Sequence, residues 1–141
     1  MENVKPTEDP GAETEGLSLG AVVLPVALPY AEQAVRDALG SEGFGVLSEV
    51  DVSATLKAKL GVERAPLKIL GACNPTLADR ALQLEPDAAM VLPCNVVLSG
   101  ERPGQTTVKV ADPRKMLPSG SLSAIAEEAA DLLGAVLRKL S

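Results

Sequence analysis

The chain has 141 residues, 46% of them apolar, which suits one folded domain with a sizeable core. It contains no histidine, which removes Ser-His-Asp and Cys-His catalysis and every His-ligated metal site. A net charge of −6, with one Tyr, one Phe and no Trp, argues against nucleic acid as a partner, because both basic surface and stacking rings are lacking.

Residues 1–16 hold Glu2, Glu8, Asp9, Glu13 and Glu15 against Lys5, which accounts for −4 of the total and leaves −2 for the body. With Pro6, Pro10, Gly11 and Gly16 and no periodicity, they read as an acidic disordered tail. An acidic start is not a signal peptide, and the longest apolar run, Leu19 to Leu28, is broken by Pro25 and too short for a bilayer. The expectation is a cytoplasmic protein with no membrane association, in which Cys73 and Cys94 stay reduced.

The valine-rich run from Leu19 to Leu28 predicts a buried first strand, at an edge or bulged at Pro25. Pro29 opens a helix whose apolar stripe is Ala31, Ala34, Val35, Ala38 and Leu39, ending near Gly43. Phe44 to Val50 predicts a second strand. A short helix capped by Asp51 or Ser53 follows, with Val52, Leu56 and Leu60 on one face and Gly61 as its stop. Leu67 to Ala72 predicts a third strand, and Asn74-Pro75 caps and opens a helix to about Leu84. Ala88 to Leu98 reads as a fourth strand interrupted by Pro93. Thr106, Val108 and Val110 alternate with Thr107, Lys109 and Ala111 in a half-buried fifth. Leu122, Ile125, Ala129, Leu132, Leu133, Val136 and Leu140 form the stripe of a last helix over 122–140. Together these predict a single α+β domain over residues 17–141. It has two layers: a mixed five-stranded sheet and helices packed mainly on one face. The unit from Leu67 to Leu98 is expected to be a right-handed crossover if its strands are neighbours.

Four segments carry a resemblance: Gly43-Phe44-Gly45-Val46-Leu47, Asp51-Val52 through Lys57, Ile69-Leu70-Gly71-Ala72-Cys73-Asn74-Pro75, and Leu92-Pro93-Cys94-Asn95-Val96-Val97. Glu85-Pro86, Asp112-Pro113 and Met116-Leu117 fit as well. In these blocks the chain resembles the bacterial domain-of-unknown-function family 302, over about residues 19–140. The resemblance implies a small sheet-and-helix protein, a homodimer, and no assigned activity. The chain departs from the family where members often carry a histidine in the helix after the first Cys-Asn-Pro block, since Asp79 stands there. Leu67 stands near the place of a usual aromatic residue.

Cys73 lies between a strand end and a helix N-terminus, where backbone N–H groups and the helix dipole favour a thiolate, or where a small apolar residue fills a tight turn. The small neighbours Gly71 and Ala72 would let a ligand approach. Cys94, beside a proline-induced bulge, would be a relay thiol if the third and fourth strands adjoin, or one more core residue. Asn74 reads first as a helix cap and second as an amide for a ligand. Asn95 needs a partner, because asparagine is disfavoured in strands. Asp79 and Arg80 read as solvated charges, and Met90, Leu92 and Cys94 as a core stripe of one strand rather than a copper(I) site. No phosphate loop is present, no metal-ligand spacing is evident, and no cofactor is identified.

Three functions follow. The first is a homodimeric domain binding a small anion, thiol or metal near Cys73-Asn74 and Cys94-Asn95, with Gly71, Asn74 and Asn95 as ligand-binding residues. The second is a thiol-dependent redox or sulfur-transfer enzyme with Cys73 as nucleophile and Cys94 as relay, helped by Lys68, the nearest cation in sequence. The third is a protein-interaction module.

Overall fold

The structure, a computed structural model, describes residues 16–117 and 120–141. The predicted acidic tail lies outside the described residues, apart from Gly16. Strands β1 (Ser18–Leu24), β2 (Gly45–Asp51), β3 (Leu67–Cys73), β4 (Cys94–Arg102) and β5 (Gln105–Ala111) form one sheet in the order β1-β5-β4-β3-β2. With them come α1 (Leu28–Ser41), α2 (Val52–Leu60), α3 (Pro75–Leu84), a 3-10 segment (Pro86–Val91), α4 (Pro113–Met116) and α5 (Ser123–Leu140). The α+β architecture matches the sequence reading.

Every strand pairing is antiparallel, which corrects the mixed sheet. The reason lies in the connection between β3 and β4. Ala72 pairs with Cys94, so the chain re-enters the sheet at the end where it left. The ten residues of α3 rise about 15 Å, and the six of the 3-10 segment return about 12 Å. The net displacement is small, and the expected crossover becomes a long hairpin. A second correction follows, since residues 88–91 are 3-10 helix and β4 begins only at Cys94, after Pro93. No bulge marks Pro93; the β3–β4 register is continuous from Leu67↔Ser99 to Ala72↔Cys94. β1 is an edge strand as expected, but its irregularity falls at Ser18–Gly20 and Pro25 lies beyond its end.

Local signals explain most of the other elements. Asp51 Oδ1 accepts the Ala54 amide at 2.9 Å and caps α2, and Gly61, at φ 68°, stops it in the left-handed region. Asp112 caps α4 by accepting the Arg114 amide at 2.9 Å. In β5, Thr106, Val108 and Val110 are buried while Thr107, Lys109 and Ala111 are half-buried, the predicted alternation.

The core lies between the sheet and its two long helices. Leu70, Ala72, Val96, Leu98, Val108 and Val110 face Val35 and Leu39 of α1 and Leu133 and Val136 of α5. A second cluster, Leu77, Ala81, Ala88, Leu122, Ile125 and Ala129, packs α3 and the 3-10 segment against the start of α5. The other sheet face keeps Val97, Thr107 and Lys109 half exposed. Among the described residues no helix is long and apolar enough to cross a membrane.

Candidate functional site

The two cysteines come together at one end of the sheet. Cys73 ends β3, Cys94 begins β4, and Cys94 pairs with Ala72, the residue beside Cys73. Both are free and half-buried. They line one apolar crevice with Phe44, Leu77, Leu92 and Leu117, whose volume is about 30 Å³. That is about the share of one water molecule in the liquid, so the crevice holds no metabolite.

The surroundings do not make an activated thiolate. Burial pushes the Cys73 thiol up from its ordinary value. Burial pushes Cys94 up as well, and a charge on Cys73 would add to the rise. Desolvation of the charged sulfur is the leading cause in both cases. Lys68 cannot assist, because it sits five residues back along β3, roughly 17 Å away. There its ammonium pairs with Glu32 at 2.9 Å and Glu49 at 2.8 Å.

The other predicted residues have local duties. Asn74 caps α3, its Oδ1 accepting the Leu77 amide at 3.2 Å. Its amide nitrogen packs where a side chain on Gly43 would otherwise stand. Gly71 does not open space for a ligand: a Cβ there would run into Ser48 Oγ and lie 2.7 Å from Pro93 Cγ. Its lack of a side chain lets the Pro93 ring close over β3. Arg80 reaches Glu128 of α5 at 3.0 Å, and Asp79 accepts from Gln83 at 2.8 Å, so both are surface ties.

Asn95 is different. It is exposed, opposite Gly71, on the sheet face without long helices. It lines two adjoining hollows. One is a groove of about 630 Å³ across the uncovered face, floored by Leu67, Val97 and Thr107 and bordered by Arg64, Arg102 and Lys109. The other is a crevice of about 250 Å³ formed by Met90, Leu92, Pro93, Cys94, Met116 and Leu117. Asn95, Ala111 and Met116 border both. Of the residues read from sequence, Cys94 and Asn95 therefore reach a volume large enough for a ligand, whereas Cys73, Asn74 and Gly71 do not line either hollow. Sequence reading missed Arg64, Arg102, Lys109 and Met116, which come from a loop, β4, β5 and α4 and line one groove only through the fold. Among the described residues no three His, Cys, Asp or Glu side chains cluster as metal ligands.

The family model described as "Domain of unknown function DUF302" matches residues 21–140. A similar solved structure is the crystal structure of an uncharacterised conserved protein of that family from Bacillus stearothermophilus. It is 28% identical, with a TM-score of 0.77, over 86% of this chain and 97% of that one. No curated protein matches the chain.

Proposed function

The chain belongs to the domain-of-unknown-function family DUF302, whose name carries no reaction, and from that premise we propose that it is a binding domain for a small amphipathic organic anion. The observation that carries this reading is the 630 Å³ groove on the uncovered sheet face. Its size is that of a small-molecule site. Leu67 and Val97 on its floor and Ala111 at its border suit an apolar body. Arg64 and Arg102 against Glu101 give this border a positive balance among the described residues that suits a carboxylate or phosphate end. Asn95 offers a neutral donor and acceptor where the groove meets the smaller crevice.

Thr107 stands mid-floor on β5, where a tryptophan is compatible with a strand and fills the groove. In a thermal-shift screen of medium-chain carboxylates and aryl phosphates, the wild type is expected to rise in Tm with at least one class. Thr107→Trp is expected to keep its own Tm and lose the rise. A flat response of the wild type to every compound overturns the reading.

The homodimer implied by the resemblance has separate support at edge strand β2, where Leu47 is 71% and Val50 50% exposed. An unprotected edge invites pairing with a second copy. Sedimentation velocity across a hundredfold concentration range is expected to show a dimer that Leu47→Asp dissociates, with the groove response retained. A wild type that sediments as a monomer throughout ends this part of the proposal.

A further inference from the structure

All four sulfur-bearing side chains among the described residues, Cys73, Met90, Cys94 and Met116, lie at one end of the sheet. Three of them, Met90, Cys94 and Met116, line the same 250 Å³ crevice, although they come from the 3-10 segment, the start of β4 and the end of α4. Cys73 lines only the inner crevice behind Cys94. Fold constraints account poorly for this gathering. Met90 is 83% exposed, so it is not a core filler, and Met116 is also exposed at the rim. We propose that the crevice is a copper(I) site, with the Cys94 thiolate and the Met90 and Met116 thioethers as a three-sulfur donor set.

The chemistry selects the ion. Thiolate and thioether donors are soft and favour a soft monovalent cation. Apart from the neutral amide of Asn95, the rest of the crevice wall is apolar (Val91, Leu92, Pro93 and Leu117) and poorly suited to net charge. One thiolate with one monovalent cation is neutral, and the thioethers add none. A divalent ion on the same donors would leave an uncompensated positive charge in an apolar wall. The step balances without electron transfer: Cys94–SH and copper(I) give Cys94–S–copper(I), and the thiol proton leaves to water. Met90 is exposed where it lines the crevice, and its unbranched thioether side chain is adaptable enough to meet an entering ion.

The test titrates the reduced chain anaerobically with copper(I) in competition with a chromophoric copper(I) chelator. One equivalent is expected to bind, with sulfur-only coordination in X-ray absorption. Cys94→Ser is expected to weaken binding by at least about a hundredfold, and Met90→Leu and Met116→Leu each by about tenfold or more, the scale even outer-shell partners command. Cys73→Ser and Thr107→Trp are expected to bind copper(I) as the wild type does, so this site and the anion groove fail or survive separately. Circular dichroism of each variant without metal checks that the fold is kept. Binding that survives Cys94→Ser, or that is lost in Cys73→Ser while both methionine variants bind normally, overturns the assignment.

Discussion

Gly71 shows how closely the residues at this end of the sheet are fitted. Ser48 and Pro93 occupy the space above its Cα. Gly71→Ala is expected to destabilise by about 1–3 kcal/mol through overpacking, measured by urea unfolding. Adding Pro93→Ala should return part of that loss, a coupling that distant sites would not show. Cys94 and Cys73 make a second prediction. Their thiols are raised by burial, so the folded chain holds these protons more tightly than the unfolded one. Stability is therefore full below the unfolded thiol pKa of about 8.5 and falls as pH rises through it toward the folded values. Thermal melts between pH 7 and 10 are expected to show this decline, smaller in the Cys73→Ser, Cys94→Ser double variant. An equal slope in both chains would mean that the thiols are not the cause.

The elements divide into those legible from local chemistry and those set by long-range pairing. Asn74 is of the first kind, and Asn74→Ala is expected to cost about 1 kcal/mol of stability, with Asn74→Asp largely restoring it. The β5 alternation, the α5 stripe and the Gly61 stop were equally legible, because each depends on neighbours within a few residues. The segment Ala88–Leu92 was not. A short apolar run does not distinguish a strand from a turn of 3-10 helix, and here Pro86 and Pro93 bracket the helix. With that misreading went Met90, assigned to a strand face that does not exist. Strand direction was illegible for another reason: a helix-containing link of this length serves a crossover or a long hairpin equally well. The seam between α1 and strands β2 and β3 was also hidden, because it joins Glu32, Arg36, Glu49 and Lys68 from distant stretches. Burial acts to raise the Glu32 carboxyl, but hydrogen bonds from Lys68 and Arg36 prevail and hold it below the usual range. A depressed carboxyl stabilises the fold above its unfolded pKa of about 4.3, and that contribution is lost as pH falls through the folded value. Lys68→Met is expected to flatten the loss of stability between about pH 5 and pH 2, followed by circular dichroism.

At the scale of the whole molecule, the sheet order places β4 at the centre and β1 and β2 at the edges. Amide hydrogen exchange is expected to be slowest in β4 and its neighbours β3 and β5, and fastest in β2, whose residues are mostly exposed. The sheet's uncovered face left the most for structure to reveal, since no sequence pattern announces which polar residues will border a groove. The hairpin link from Asn74 to Pro93 has a consequence of its own. Its base is closed by the Ala72↔Cys94 pair, and its apolar side chains belong to the second cluster, apart from the main core. It can therefore lift away as a unit while the sheet stays whole, a sub-global opening with a free energy below that of complete unfolding. Cys94 lies at the hinge of that unit, so the amides of the link are expected to exchange together, ahead of those of β3 and β4. Anything seated in the methionine-lined crevice, which joins the link to α4, would act as a latch that slows them together.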